Sequence, residues 1–316
     1  ENLISIDFKF TENIIHNQKN KEGNFMGKTS TKLNTTAKPF VKWAGGKSQL
    51  LGQFEDLFPK TFNNYIEPLV GGGAVFFYLF NTNRIKKKAI LNDINPELMN
   101  CYRVIKNQVE ELIVKLRELE QGYRKAPKEI YYRIRKWDRQ KGFSKRSLVE
   151  RAARTIFLNK TCYNGLYRVN SKGQFNVPFG RYKNPTICDE ENLREVNVVL
   201  QKTQLKSKDF TICLKCAKQG DFIYFDPPYY PISETADFTS YTKEDFTEKD
   251  QKRLKEVFKN LTGRKYKSML SNSNTDFIRN LYKNFQIYEV QVKRYINSNP
   301  RGRGKIVELV IINYQP

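Results

Sequence analysis

The chain has 316 residues, enough for one large α/β domain or two smaller domains with a sizeable core. Its 56 Lys+Arg against 33 Asp+Glu give a formal net charge of +23, which favours a polyanionic partner, usually nucleic acid. The single histidine, His16, lies in a polar stretch, which argues against histidine-based acid–base or triad chemistry.

Neither a signal peptide nor a long apolar run is present, which predicts a cytoplasmic protein that spans no membrane. Five scattered cysteines fit a reducing compartment. Cys213 and Cys216 form a C-x-x-C pair, but no second pair or suitably spaced histidine accompanies it. No metal site is therefore predicted.

Residues 1–36 are rich in Asn, Lys and Thr and are predicted to form a mobile N-terminal extension. One short strand over Leu3 to Phe10 is the alternative. After it, Gly45, Gly46 and Lys47 precede a helical pattern of apolar residues from Leu50 to Phe58. This pattern suggests a backbone loop that meets an anionic or carboxylate-bearing ligand at a helix start.

Residues 65–80 combine an apolar run, the glycines of 71–73 and a second apolar run, the pattern of strand, glycine turn and helix in a doubly wound fold. A strand is predicted next over Lys88 to Asp93. Asp93 then follows the glycine turn by about 20 residues, the spacing at which an acidic residue binds ribose hydroxyls. A role for Asp93 in starting the next helix, which Asn95 would cap, is the alternative.

Residues 122–183 hold 17 Lys+Arg and three Asp+Glu, interleaved with aromatic residues. They are predicted to form a helical insertion that packs and also presents charge to phosphates, with a solvated basic face as the alternative. The loop at 161–170 and the hairpin-like stretch at 173–182 are predicted to contact bases. They offer Arg for guanine, Asn and Gln for adenine, and apolar wedges.

Asp209 and Phe210 end the next predicted strand with an acid and an aromatic ring, a pair suited to an adenine amino group and ring face. Asp221 to Phe225 is predicted to be a buried strand, and Asp226 to Tyr229, with the sequence Asp-Pro-Pro-Tyr, a tight turn at its carboxyl end. A helix near 248–261, a strand at 266–272 and a hairpin of 288–292 with 306–312 complete the predicted sheet.

The Asp-Pro-Pro-Tyr turn suits a reaction at the exocyclic amino group of a nucleobase, which is a poor nucleophile because its lone pair is delocalised into the ring. Hydrogen bonds from that group to the Asp226 carboxylate and the Pro227 carbonyl would return the lone pair to nitrogen, while Tyr229 stacks on the base. An ordinary proline turn after a core strand is the alternative for the turn taken alone.

Five motifs in register resemble the Dam family of DNA adenine-N6 methyltransferases, and most nearly the Dpn-type GATC methylases of restriction systems. They are Lys42 to Lys47, Glu67 to Gly73, Asn92 to Asn95, the block 164–182 and Asp226 to Tyr229, and the resemblance covers about residues 38–316.

The resemblance implies an α/β fold: a Rossmann-like S-adenosylmethionine-dependent methyltransferase sheet with a mainly helical target-recognition insertion. The implied domains are the catalytic domain at 37–95 and 189–316 and the DNA target-recognition domain at 96–188. The implied activity is transfer of a methyl group from S-adenosylmethionine to N6 of adenine in double-stranded 5′-GATC-3′, by base flipping and without a metal. A cognate restriction endonuclease acting on the same site is a possible partner.

Site residues follow from the resemblance by position. The catalytic set is Asp226, Pro227, Pro228 and Tyr229. The cofactor set is Trp43, Lys47, Gly71, Gly73, Asp93, Asp209, Phe210 and Asp226. The DNA-binding set is Lys42, Tyr163, Asn164, Leu166, Arg168, Pro178 and Arg181.

Two rival functions differ in class. One keeps the enzyme but changes the acceptor to cytosine N4, RNA or a protein glutamine; Asp at position 226, rather than Ser or Asn, disfavours the first and the last by family analogy. The other is a non-catalytic DNA-binding module on an inactive methyltransferase fold, against which the glycine turn, Asp93 and the Asp-Pro-Pro-Tyr turn all argue.

Overall fold

The computed structural model describes residues 36–43, 45–231, 246–293 and 305–316. The predicted extension at 1–36, with its possible strand over Leu3 to Phe10, lies almost entirely outside the described residues. No helix in these described segments is long and apolar enough to cross a membrane.

A seven-stranded sheet organises the described residues. Its strands are β1 (Tyr65–Glu67), β2 (Ala89–Asn92), β3 (Thr203–Lys206), β4 (Phe222–Phe225), β5 (Lys267–Ser273), β6 (Gln286–Lys293) and β7 (Lys305–Ile312). Their order is β3-β2-β1-β4-β5-β7-β6, with β7 antiparallel to both of its neighbours and the other pairs parallel. The predicted strands and the closing hairpin are confirmed.

The central strand β4 shows why these residues form a sheet with two covered faces. All four of its side chains are buried, as expected of a parallel strand packed on both sides. Phe222 and Tyr224 join one hydrophobic core, whereas Ile223 and Phe225 join another. Because successive side chains of a strand point to opposite faces, the two cores lie on opposite sides of the sheet.

Ten α-helices occur in the described residues. They are α1 (Leu51–Phe54), α2 (Ala74–Asn81), α3 (Pro96–Asn107), α4 (Val109–Lys125), α5 (Pro127–Arg135), α6 (Leu148–Thr161), α7 (Glu190–Leu200), α8 (Cys213–Cys216), α9 (Glu248–Gly263) and α10 (Asp276–Leu281). Asn95 caps α3 through its side chain, which accepts from the N–H groups of Glu97 and Leu98, as its sequence predicts.

The predicted helical segment from Leu50 to Phe58 is confirmed as far as Leu57, but it is only partly α-helical. A 3₁₀ turn at Lys47–Gln49 leads into α1, a second 3₁₀ turn follows at Glu55–Leu57, and Phe58 is extended. The apolar residues are buried as the pattern requires, but Pro59 disfavours a helical conformation at Phe58 and ends the segment.

The helices predicted within 122–183 are confirmed as α5 and α6, which lie with α4 in the same hydrophobic core as α3 and part of the sheet. After α6 the chain forms a hairpin-like loop, with bridges from Val169 to Phe175 and from Cys162 to Phe179. We call residues 166–179 the recognition loop.

The strand order places a crevice beside the turn after β4. From β1 the chain proceeds outward to β2 and β3, then returns to β4 on the other side of β1. Ligands of open α/β sheets bind at the carboxyl ends of the strands at such a reversal. A ligand-binding site is therefore expected at the segments that follow β1 and β4.

Candidate active site

The glycine turn after β1 is joined directly to Asp93 after β2. Asp93 Oδ2 accepts from the N–H of Gly71 at 3.1 Å, and Oδ1 accepts from the N–H of Asn95 at 2.9 Å. Burial raises the pKa of Asp93, while these backbone hydrogen bonds oppose the shift. The structure thus brings together two elements that the sequence analysis assigned to one ligand.

Asn92 at the end of β2 fixes the same edge of the sheet. Its Nδ2 donates to the carbonyls of Pro68 at 2.8 Å and Lys208 at 2.9 Å, and its Oδ1 accepts from the N–H of Lys208 at 2.9 Å. The side chain therefore ties together the segments after β1, β2 and β3. The sequence alone predicted no separate role for Asn92. The only signal was a polar residue at the end of a predicted apolar strand, where the structure buries it.

Trp43 covers the glycine turn. Gly71 adopts a positive φ of 48°, and a Cβ there would lie 2.7 Å from Trp43 Cδ1. Gly73 also has a positive φ, and a Cβ there would lie 2.8 Å from the hydroxyl of Tyr102. Only glycine allows this approach without displacing a ring.

Asp209 and Phe210 lie at the end of β3 as predicted, but Asp209 already has a cationic partner. Arg253 of α9 donates to both Asp209 oxygens, at 3.2 and 3.1 Å, and its guanidinium lies 5.0 Å from the Phe210 ring centroid. Burial raises the pKa of Asp209, but hydrogen bonds from Thr211 and Arg253 lower it below its ordinary value. Sequence analysis missed Arg253, which is 44 residues away in the chain.

Lys47 reaches the Asp-Pro-Pro-Tyr turn. Its Nζ lies 2.8 Å from Asp226 Oδ1 and 4.7 Å from the Tyr229 ring centroid, and it also donates to the Gly45 carbonyl. The Lys47 side chain is only 3 % exposed, whereas that of Asp226 is 22 % exposed. In this structure Lys47 therefore forms an ion pair with Asp226 and is not an unpaired cation at the start of a helix.

Further contacts fix the Asp-Pro-Pro-Tyr turn from the other side. The Tyr229 hydroxyl donates to Glu308 Oε2 of β7 at 2.6 Å, and Gln251 of α9 donates to the Pro228 carbonyl at 2.9 Å. No hydrogen bond among the described residues uses the Pro227 carbonyl. Sequence analysis missed Glu308 and Gln251, which meet the turn only through the fold.

The electrostatics of the turn favour the protonated, neutral form of Asp226 more than solvent around an exposed carboxylate would. Burial raises the pKa of Asp226 to about 6, Lys47 opposes the rise, and the charge of Glu308 adds to it. Nearby Glu67 is buried, and desolvation likewise raises its pKa, although the Tyr65 hydroxyl donates to it at 2.9 Å.

The predicted DNA-binding residues are gathered around the recognition loop. Tyr163 and Leu166 expose large side chains, and Asn164 and Arg181 adopt positive φ angles of 55° and 57°. Arg168 Nε donates to Asn176 Oδ1 at 2.8 Å. Within the described residues no hydrogen bond or ion pair engages its two terminal amino groups, and Arg168 is exposed.

Lys42 joins this group through the side chain of Asn159 in α6, and Pro178 joins it through the backbone of the loop after α6. Asn159 accepts from the Lys42 N–H at 2.8 Å and donates to the carbonyls of Lys42 at 2.7 Å and Gly165 at 3.0 Å. The Pro178 carbonyl accepts from the N–H of Tyr163 at 2.9 Å. The segment carrying Lys42 is thereby fastened to the loop of predicted base contacts.

Several cations of the basic insertion are engaged by groups within the insertion. Arg135 donates to the Val177 carbonyl at 3.0 Å, and Arg139 donates to the Phe175 carbonyl at 2.7 Å. Arg154 is buried and pairs with Asp138 at 2.6 Å. The formal charge of the segment therefore overstates the charge available to phosphates.

A family model described as D12 class N6 adenine-specific DNA methyltransferase matches residues 43–296. The chain belongs to this family. The match spans the glycine turn, the insertion and the Asp-Pro-Pro-Tyr turn, so the resemblance to DNA adenine methylases is confirmed.

Similar proteins support the same assignment. The methyltransferase is 49 % identical to the Type II methyltransferase M.MjaIII of Methanocaldococcus jannaschii over 88 % of this chain and 99 % of that protein. It is 46 % identical to the Type II methyltransferase M1.LlaDCHI of Lactococcus lactis subsp. cremoris over 88 % and 95 %. It is 35 % identical to the DNA adenine methylase of Escherichia coli (strain K12), again over 88 % and 95 %.

The residues after β1 and β2 fit the S-adenosylmethionine that this family implies. A glycine turn that admits close approach, an acceptor carboxylate on Asp93 and the indole of Trp43 lie together at the point of strand reversal. In the described residues no group of three or more His, Cys, Asp or Glu side chains could hold a metal ion.

Gly71→Ala is expected to weaken cofactor binding by about tenfold or more, because the left-handed backbone and the contact with Trp43 both oppose a Cβ. Calorimetric titration with S-adenosylhomocysteine measures the effect. Gly263→Ala is the matched control, since a Cβ there meets no atom within 4 Å. Equal affinities for both variants would contradict the close approach at Gly71.

Methyl transfer by the methyltransferase is expected to fall as the pH decreases through about 6, because the pKa of Asp226 has that value and its protonated form is a poorer acceptor. The Glu308 charge contributes to that raised pKa, so Glu308→Gln should move the acidic limb to lower pH. Single-turnover rates across the acidic and neutral range test both statements. Glu256→Gln, on the exposed side of α9, is the control; a limb that stays in place in Glu308→Gln would exclude this coupling.

Proposed function

We propose that this protein methylates N6 of adenine in double-stranded 5′-GATC-3′ DNA after flipping the adenine out of the helix. One observation carries most of the proposal. The Asp226 carboxylate, held by Lys47, lies at the carboxyl end of β4, and the glycine turn and Asp93 lie at the ends of the neighbouring strands. An acceptor base and a methyl donor would meet there.

The proposed cofactor contacts follow the strand ends. Asp93 would accept hydrogen bonds from ribose hydroxyls, and Gly71 and Gly73 would let the cofactor approach the backbone. Phe210 would stack on the cofactor adenine while Asp209 accepts from its amino group, sharing its oxygens with Arg253. When bound, S-adenosylmethionine supplies the methyl group as an electrophile.

Lys47 and Trp43 complete the proposed cofactor site. Lys47 would have to be shared between Asp226 and the carboxylate of the cofactor, because its Nζ is already 2.8 Å from Asp226. Trp43 would cover the ligand over the glycine turn. Asp226 would then lie between the cofactor and the target base.

The proposed chemistry uses Asp226, Pro227 and Tyr229 on the acceptor. N6 of adenine would donate to the Asp226 carboxylate and the Pro227 carbonyl, which localises its lone pair for attack. Tyr229 would stack on the flipped base, with its hydroxyl held by Glu308. Pro228 would contribute rigidity, since its carbonyl is bonded to Gln251 and its φ is restricted.

The insertion at 96–188 is proposed to recognise the target sequence. Flipping a base costs a few kcal/mol of stacking and pairing, which contacts to phosphates and neighbouring bases can offset. Arg168 offers a fork for guanine, while Asn164, beside exposed Tyr163 and Leu166, is proposed to lie near the gap left by the flipped base. Lys42, Pro178 and Arg181 complete the proposed contacts.

The proposed site GATC rests on the resemblance of the block 164–182 to Dpn-type methylases. A restriction endonuclease that cleaves the same sequence is the proposed partner, since two similar proteins are named Type II methyltransferases. An endonuclease paired with this enzyme would be blocked by methylation of the shared site.

Transfer of labelled methyl groups from S-adenosylmethionine to matched duplexes carrying GATC or GTTC tests the proposed function. N6-methyladenine in the GATC duplex alone, identified by base analysis, is the expected result. Equal label in both duplexes would reject the sequence specificity and keep the chemistry. No label in either would favour a non-catalytic DNA-binding module.

A further inference from the structure

Trp43 contacts two parts of the molecule with different proposed roles. On one side lies the glycine turn, whose Gly71 backbone approaches the indole so closely that a Cβ would lie 2.7 Å from Cδ1. On the other side the ring of Tyr167 stacks on Trp43, with centroids 5.1 Å apart and an interplanar angle of 27°. Protein interiors are close-packed, so a shift of Trp43 is felt by Tyr167.

Tyr167 belongs to the recognition loop and packs across it against Phe175. Its ring meets Phe175 edge-to-face at 5.7 Å, and Phe175 is only 3 % exposed. The Phe175 N–H donates to Asp138 at 2.8 Å, and its carbonyl accepts from Arg139 at 2.7 Å. Phe175 is therefore a fixed support, against which Tyr167 has little freedom to move.

The chain neighbours of Tyr167 are two of the proposed DNA contacts. Leu166 and Arg168 are both exposed, whereas Tyr167 is partly buried, as alternation along an extended segment requires. The position of the Tyr167 ring therefore constrains the backbone that carries the side chains of Leu166 and Arg168.

The hydroxyl of Tyr167 lies near the side chain of Asn95. Burial raises the pKa of Tyr167 to about 12, and Asn95 opposes part of that rise. Asn95 is the residue whose N–H donates to Asp93 Oδ1 at 2.9 Å. The ring of Tyr167 thus connects the recognition loop to the glycine turn through Trp43.

We propose that Tyr167 is a positioning residue that couples occupancy of the cofactor site to base discrimination by Leu166 and Arg168. A ligand against Gly71 and Trp43 holds the indole, the indole holds the Tyr167 ring, and the ring fixes the segment that carries Arg168. The inference rests on the proposed function, because it assigns the glycine turn to the cofactor and the recognition loop to DNA. Such coupling is reciprocal, so DNA tightens cofactor binding by the same factor.

The test measures the coupling itself rather than activity. Fluorescence anisotropy gives the affinity for GATC and GTTC duplexes with and without S-adenosylhomocysteine, which occupies the site but carries no methyl group to transfer. We expect S-adenosylhomocysteine to tighten binding of the wild-type enzyme to GATC by about fivefold or more, and to GTTC by less. In Tyr167→Ala this factor should fall towards one, while binding to DNA alone stays measurable.

Three further variants separate coupling from general loosening. Tyr167→Phe should keep most of the factor, because the ring still stacks on Trp43 and Phe175. Tyr167→Leu fills the space without stacking and should lose it, which also covers the case that Tyr167→Ala does not fold. Tyr132→Ala removes a partly buried ring of the same insertion, which packs on Tyr131 and Arg135. This control variant should keep the wild-type coupling factor.

The possible results lead to distinct conclusions. A wild-type coupling factor in both Tyr167→Ala and Tyr167→Leu would overturn the inference and leave the proposed function intact. The inference would also be overturned if Tyr132→Ala lost as much of the coupling factor as the Tyr167 variants do. It would be overturned as well if a wild-type enzyme that methylates GATC showed no coupling. Failure of the wild-type protein to bind S-adenosylhomocysteine or DNA would overturn the proposed function, and the inference with it.

Discussion

Asp226→Asn is expected to lower the rate of methyl transfer by at least about a hundredfold, the usual effect of removing one group that stabilises developing charge. The substitution keeps the size of the side chain but removes the carboxylate that would accept from N6 of adenine. It also removes the ionic partner of Lys47, 2.8 Å away. Single-turnover transfer to a GATC duplex measures the effect.

Binding measurements decide whether the loss in Asp226→Asn is chemical. Affinity for the duplex should remain measurable, because Asp226 is not among the residues proposed to contact flanking bases or phosphates. Glu256→Gln removes an exposed carboxylate from α9 and should leave the rate unchanged. Undiminished transfer by Asp226→Asn would remove this carboxylate from the mechanism.

Arg168→Ala is expected to reduce discrimination between GATC and near-cognate duplexes by about 1–3 kcal/mol, the value of one bidentate contact between arginine and guanine. Arg168 Nε is fixed by Asn176 at 2.8 Å, which orients the two terminal amino groups. Competition binding with a set of duplexes, each changed at one base pair, measures the loss and locates the position that Arg168 contacts.

Lys172→Ala gives the matched control for Arg168, because Lys172 is an exposed cation in the same loop. Loss of a phosphate contact should weaken binding to all duplexes about equally and reduce the salt dependence. If Arg168→Ala also weakened every duplex equally, its assignment to a base would be wrong and Arg168 would be a phosphate contact.

Local patterns in the sequence predicted the strand ends correctly. The apolar run before Asp226 and the glycines after Glu67 each mark a strand followed by a tight turn, and the Asn95 cap marks the start of the next helix. These signals need only a few neighbouring residues, because side-chain alternation, glycine freedom and capping are local effects.

Two predictions from local sequence patterns differ from the structure. The apolar spacing from Leu50 to Phe58 predicted one helix, but only Leu51–Phe54 is α-helical, Glu55–Leu57 forms a 3₁₀ turn, and Phe58, which precedes Pro59, is extended. The positive charge of 122–183 predicted phosphate contacts, yet Arg135, Arg139 and Arg154 are engaged within the insertion.

The sequence by itself determined the order of strand, glycine turn, basic insertion and Asp-Pro-Pro-Tyr turn, and with that order the family. Only the tertiary structure decided the partners within the site. Tyr229 meets Glu308 from 79 residues away, Arg253 meets Asp209, and Lys47 meets Asp226. Such pairs depend on strand order and register across the sheet, and no local pattern encodes which distant side chain will arrive beside a given carboxylate or hydroxyl.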